Sequence, residues 1–294
     1  MGYGLLFGAI LCFSVQSLCM KQYQVQTAGN SRAPLWAPCL YGLFRSILCL
    51  AVNGFQFSIT WNSAICGVWY AFFSVVCNLS TLAAFHHGKI SVVTIFLLLG
   101  GMILPALYGV IGLGETVPPK GWVAIGVMIC ALIPSKKKKR EHTKYRVSFY
   151  ILCLAVFFAN GLISVVTKYH QIMENAASEN EFLIFSSWMT IALSAVMLRF
   201  TERQKGGGTF SSLRMIPPAA MGMMLGYAVL NTGGNLCSLH AASNLPSSFQ
   251  FPIISAGVIV LTAILSSMAF REPVAKEEVR KIGCAIVGIV LYII

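Results

Sequence analysis

A chain of 294 residues has room for one or two soluble domains, but 57% of these residues are hydrophobic and only 10% charged, against about 25% charged in a soluble domain. So little charge cannot cover a globule in water, and the stretches between apolar runs are too short to fold alone, which excludes a soluble enzyme. The net charge of +12 resides mainly in loops, where Lys and Arg report membrane orientation rather than a nucleic-acid face.

Taken in order, the apolar runs predict transmembrane helices at 2–22, 34–55, 63–86, 90–112, 120–134, 147–169, 181–200, 215–239, 247–270 and 279–294, most of them near the roughly 17–25 residues that crossing a bilayer requires. No basic stretch precedes the first run and no small-residue cleavage site follows it, so it reads as a retained helix rather than a leader. The fifth and tenth are short and fit if loop residues extend them or the bilayer adapts. Trp36, Trp61, Trp69, Trp122 and Trp188 fall near run ends, where indoles anchor at the headgroup boundary. Pro105 is expected to interrupt the fourth helix, Pro217–Pro218 to open the eighth and Pro252 the ninth. Pro105 and Pro252, with Lys21, are candidate gate or hinge residues. Gly4/Gly8, Gly222/Gly226 and Gly100–Gly101 offer close helix approach. The ten cysteines form no CxxC pair and read as small apolar fillers, with no metal or other cofactor expected.

Loop 135–146 carries seven basic residues against one Glu, the mark of a cytoplasmic loop. Arg199, Arg203, Lys205 and Arg214 fall on the same side, as do Arg271, Lys276, Arg280 and Lys281, whereas loops 56–62 and 240–247 hold no Lys or Arg. Counting crossings from loop 135–146 places both termini outside.

The chain repeats itself. An offset of 157 residues aligns Asn78 with Asn235, Gly100 with Gly257, Glu115 with Glu272 and Gly126 with Gly283. CNLSTL (77–82) meets GNLCSL (234–239), and GETVPPKGWVAIG (114–126) meets REPVAKEEVRKIG (271–283). Nearer the start the offset is 147, setting SLCMKQYQ (17–24) against SVVTKYHQ (164–171) and Lys21 against Lys168. The chain thus divides into a first five-helix repeat (1–134), a basic inter-repeat loop (135–146) and a second five-helix repeat (147–294) of one membrane domain. Five crossings per half invert the second half, as in carriers with a midplane site between inverted repeats.

These paired features, with FPIISAGVIVLTAI (251–264) before the second turn, resemble the drug/metabolite transporter superfamily, specifically its EamA-like ten-helix branch. Glu115 with Gly126 and Glu272 with Gly283 carry the likeness as structural residues of the repeat turns. The resemblance spans essentially the whole chain. It implies a central cavity lined by the first four helices of each half, the fifth and tenth peripheral, in a bacterial-type plasma membrane. Members usually keep both termini in the cytoplasm, opposite to the orientation that the basic loop favours.

Polar side chains inside a span face the bundle or a water-filled cavity. Ser74, Asn78 and Thr81 share one helical face, matched by Asn231, Asn235 and Ser238 in the eighth span. Asn160, Ser164 and Lys168 form another stripe, echoed by Ser17 and Lys21, with Ser14 nearby. These stripes are candidate cavity walls. Interhelical hydrogen bonding is the alternative for each residue, and the matched pairing favours cavity for Asn78 and Asn235. Arg45 lies mid-span, where a lone cation costs about 2.5–3.5 kcal/mol, and must find carbonyls, water or an anion. His240 and His86–His87 end their spans and are interface residues first, with Arg45 and His240 also candidate substrate-cavity residues.

All nine acidic residues are expected in turns, loops or run ends, with none in the middle of a span. A mechanism that competes drug against proton on an embedded carboxylate is therefore disfavoured. The expected function is a secondary transporter that moves a small neutral, zwitterionic or anionic metabolite by alternating access. Coupling to a proton, through His240 or His86, or to a counter-solute stays open, as does monomer against homodimer. A lipid-carrier flippase and a non-transporting membrane scaffold are the alternatives. An intramembrane enzyme would need converging acids or a phosphate-binding glycine loop, and neither appears. The expected partners are the solute and membrane lipids.

Overall fold

The computed structural model describes residues 2–30, 32–114, 119–132, 147–205, 213–242, 247–270 and 276–293. Loop 135–146, Glu115 and Glu272 lie outside the described residues. Among the described residues the regular elements are all helical: α1 (Gly2–Gln26), α2 (Ala33–Val52), α3 (Trp61–His87), α4 (Ile90–Leu113), α5 (Pro119–Leu132), α6 (Val147–Ile172), α7 (Glu179–Lys205), α8 (Pro218–Ala242), α9 (Ser247–Phe270) and α10 (Lys276–Ile293). Each coincides with one apolar run. Six of them, α1 to α4, α6 and α7, are long and apolar enough to cross a membrane by length and composition.

The helix ends follow local chemistry. Thr60 caps α3 by accepting the Ser63 N–H at 3.4 Å, satisfying one of the orphan donors of a first turn. Pro34 sits in the first turn of α2, where its missing N–H costs nothing. Gly114 ends α4 at φ 66°, and its N–H reaches the Gly109 carbonyl, a left-handed closure that glycine adopts without a Cβ penalty.

The polarity of the bundle is inside-out. Tyr3, Phe7 and Leu11 of α1, Trp61, Ile65, Trp69 and Phe72 of α3, and Val147, Ile151, Leu154 and Phe158 of α6 are exposed. Ser14, Ser46, Ser74, Asn78, Thr94, Ser186, Ser187 and Thr190 are buried. Exposed apolar area on this scale is stable against lipid, not water; the chain is a helical, membrane-embedded protein.

Each helix of the first half packs chiefly on the second. The pairs are α1 with α8 and α9, α3 with α6 and α7, α4 with α6 and α9, α2 with α7 and α8, and α5 with α10. Exchanging the halves, so that α1 becomes α6, α2 becomes α7 and so on, returns this same set of pairs. The correspondence reaches single residues. A Cβ on Gly100 would sit 2.1 Å from the Phe157 carbonyl oxygen, and one on Gly257 would sit 2.6 Å from Ile10 Cδ1. Gly257 lies 157 residues after Gly100, and Phe157 lies 147 after Ile10, the two offsets of the repeat. Direction is legible as well. Gly42 packs on Ser187 and Ile191 while Ser58, just past the C-terminus of α2, bonds Glu181 at the start of α7, so α2 and α7 run antiparallel. Gly8 faces Cys237, Cys12 faces Gly233 and Cys19 faces Gly226, so α1 and α8 do too.

Several local expectations change. Pro105 does not interrupt α4, which runs continuously from Ile90 to Leu113, and α9 begins at Ser247, upstream of Pro252. Trp36 is buried within the main apolar cluster instead of anchoring the surface. A Cβ at Gly4 or Gly222 would meet nothing, and at Gly8 or Gly226 only a cysteine sulfur at ordinary contact distance. The close approach expected at Gly100–Gly101 is present, on the α4–α6 crossing that Gly161 also makes possible. The nine cysteines whose side chains are described are all free.

Candidate functional site

A hydrogen-bonded cluster centred on Arg45 joins five helices across the two halves. Arg45 is only 2% exposed. Its Nε–H donates to Ser187 Oγ at 2.8 Å, and Nη1 donates to Tyr41 OH at 2.8 Å and Tyr70 OH at 3.1 Å. Nη2 donates to Ser186 Oγ at 3.3 Å. The guanidinium carbon also lies 4.8 Å from the Tyr41 ring centre and 5.3 Å from that of Tyr70, so two aromatic quadrupoles assist the hydroxyls in holding the cation.

The serines can accept from Arg45 because their own protons go elsewhere. Ser186 and Ser187, on consecutive positions of α7, both donate to the Leu183 carbonyl, at 3.1 and 2.6 Å. Tyr41 passes its proton onward to Asn231 Oδ1 at 3.0 Å, and Asn231 Nδ2 donates to Gln16 Oε1 at 3.1 Å. Asn235 Nδ2 donates back to the Asn231 carbonyl at 2.9 Å and to Asn231 Oδ1 at 3.2 Å. The donors from Tyr41 and Asn235 determine which end of the Asn231 amide is oxygen. From Arg45 through Tyr41 and Asn231 to Gln16 each link donates away from the cation, and Asn235 joins this polarised chain from the side.

The structure brings Arg45, Asn231 and Asn235 together and disperses other candidates. Asn160 donates to the Leu97 carbonyl of α4 at 2.8 Å, so it ties α6 to α4. Ser17 and Ser164 bond back to the Phe13 and Asn160 carbonyls of their own helices. Asn78 donates to the Ser74 carbonyl at 2.8 Å, and Thr81 Oγ1 is buried with no hydrogen-bond partner among the described residues. Ser238 is buried and Lys168 half-buried. The His240 side chain lies outside the described residues. Lys21 donates to the Phe85 carbonyl near the C-terminus of α3, where last-turn carbonyls lack intrahelical partners and the helix dipole favours a cation. Gly126 and Gly283 have open space where a Cβ would stand.

Sequence reasoning missed Gln16, Tyr41, Tyr70, Ser186 and Ser187. Tyr41 was within reach, because it lies one turn before Arg45 on the same helical face. The others sit on different helices and carried no local signal. A second missed cluster lies near the far end of α3. His170 Nε2 and Ser63 Oγ are 3.0 Å apart, Ala177 N–H donates to the same oxygen at 2.9 Å, and Thr60 Oγ1 donates to it at 2.9 Å. His170 stacks on Phe182 at 4.1 Å, and Phe182 meets Tyr70 edge-on at 5.4 Å, which connects this cluster to the first. No group of three or more His, Cys or acidic residues could hold a metal among the described residues.

No protein-family model matches the chain, and no curated protein matches it. A solved structure, described only as the crystal structure of a protein, is similar over 99% of this chain and 95% of its own, with a TM-score of 0.57 and 14% identity. That likeness extends over both halves and concerns the fold alone.

Proposed function

We propose that this protein is a ten-span secondary carrier of the EamA-like drug/metabolite transporter type, whose two five-helix halves are inverted repeats. It moves a small solute by alternating access past the Arg45 cluster. The observation that carries the reading is the hydrogen-bonded chain from Ser186 and Ser187 through Arg45, Tyr41 and Asn231 to Gln16. It buries polar groups at the seam of the two halves, in a protein whose remaining surface is suited to lipid. Supporting inversion, α2 and α7 hold equivalent places in the repeat and run antiparallel.

A scaffold gains little from burying a cation where hydrophobic packing would serve. A carrier needs polar groups at a seam that parts alternately toward either face. With loop 135–146 in the cytoplasm the termini lie outside, and this orientation belongs to the same proposal. The test is uptake by proteoliposomes of the full-length protein, offered a panel of neutral, zwitterionic and anionic metabolites. Uptake of at least one above protein-free liposomes is expected; uptake of none counts against a carrier.

A further inference from the structure

The unspent hydrogen-bonding capacity around Arg45 has one sign. A guanidinium has five N–H donors, and four hydrogen bonds to hydroxyls are accounted for, which leaves one N–H on Nη2. Tyr70 accepts from Nη1, but among the described residues its own O–H finds no acceptor. At the far end of the chain, Gln16 Oε1 is taken by Asn231, and the Gln16 amide N–H groups are unspent among the described residues. Three helices thus present donors, and no carboxylate pairs with the cation among the described residues. A buried charge held only by neutral groups stays uncompensated until an anion arrives.

We infer that the transported solute is an organic monoanion whose single carboxylate binds the free Nη2–H of Arg45 and the O–H of Tyr70. This deepens the carrier reading and rests on it. A carboxylate supplies two acceptor oxygens and one negative charge, matching the cation one for one through charge-assisted bonds. A phosphate dianion would bury a surplus negative charge. A zwitterion would set an ammonium beside Arg45 with no mid-span acid to receive it, since among the described residues the helical Glu positions, Glu179, Glu181 and Glu202 of α7 and Glu277 and Glu278 of α10, fall in first or last turns. The Gln16 amide is placed to donate to a hydroxyl or carbonyl oxygen elsewhere on the same solute.

The test is thermal unfolding of the purified full-length protein with two matched probe series: lactate, lactamide and alanine, and benzoate, benzamide and phenylalanine. Inorganic phosphate is added as a separate arm. Carboxylates are expected to raise Tm in a saturable way, while the amides, amino acids and phosphate do not. Arg45→Gln is expected to abolish the shift, and Tyr70→Phe, which keeps the cation, to weaken carboxylate binding roughly tenfold. Stabilisation by amides or amino acids equal to that by carboxylates overturns the inference. So does stabilisation by phosphate alone, an unchanged carboxylate response in Tyr70→Phe, or no response to either carboxylate. Proteoliposome competition separates this result from the carrier reading. Uptake of a neutral solute that carboxylates do not inhibit leaves a carrier and removes the monoanion. Carboxylate binding without uptake of any solute leaves the anion site and removes the carrier.

Discussion

Tyr41 and Asn231 meet at 3.0 Å, the phenol of α2 donating to the amide oxygen of α8, and through this bond a residue of the first half is joined to one of the second. The same phenol accepts from Arg45 at 2.8 Å. It therefore links the buried cation to the amide chain that ends at Gln16. Replacing it tests whether these groups act together.

Tyr41→Phe keeps the ring under the guanidinium and removes the hydroxyl. It leaves Arg45 with one acceptor fewer and Asn231 Oδ1 without its phenol donor. The expected loss is about 1–3 kcal/mol of stability, the cost of leaving buried polar groups unpaired. Denaturant titration in detergent checks this, and the Tyr41→Phe, Asn231→Leu double-mutant cycle should show coupling between the two positions.

The glycine contacts separate close-packed from open positions. Gly100→Ala would drive a Cβ into backbone, 2.1 Å from the Phe157 oxygen, and Gly161→Ala would come 2.7 Å from the Gly100 oxygen. Backbone cannot rotate aside as a side chain does, so α4 and α6 must part, at a cost of about 1–3 kcal/mol or more. Gly126→Ala and Gly283→Ala meet nothing and should stay within about 0.5 kcal/mol of the parent. Unfolding midpoints of the four variants decide the matter.

Ser63 gathers three neighbours onto one oxygen: His170, the Ala177 amide and Thr60. Ser63→Ala strands the Ala177 N–H and a ring nitrogen of His170 together. A loss of about 1–3 kcal/mol is expected, with faster amide hydrogen exchange over 173–178, the segment that this serine ties to α3.

Lys21 caps the end of α3 through the Phe85 carbonyl. Lys21→Met keeps the aliphatic stem and removes the charge. The cost expected is about 0.3–1 kcal/mol, localised as faster exchange in the last turn of α3, while exchange in the middle of the helix is unchanged.

How far the sequence could be read divides along a physical line. Hydrophobic run length is a property of consecutive residues, so the helices appear where the runs lie, even at the short final run, where α10 covers Lys276–Ile293. Gly100 and Gly257, aligned by spacing alone, both stand at close helix crossings, one against Phe157 and the other against Ile10. The Arg45 cluster was only half legible. Arg45, Asn231 and Asn235 stand out because polar residues inside apolar runs are costly, but a helical period cannot reveal which neighbour faces which. Ser186 and Ser187 therefore looked like any other serines of α7. Asn160 lay in a stripe that allowed either a cavity wall or interhelical bonding, and its amide ties α6 to the Leu97 carbonyl of α4. Pro105 misled because α4 runs on through it, proline costing a spanning helix little where neighbours compensate the freed carbonyl.

The central claim is that the seam around Asn231 opens to each side of the membrane in turn. The most direct measurement replaces the ten native cysteines, introduces Asn231→Cys, and follows alkylation by a membrane-impermeant maleimide applied to either face of sealed proteoliposomes. The account predicts labelling from both faces in separate experiments, with no ion leak to signal a continuous pore. Protection of the new thiol from both faces, under conditions where loop cysteines react, would contradict it.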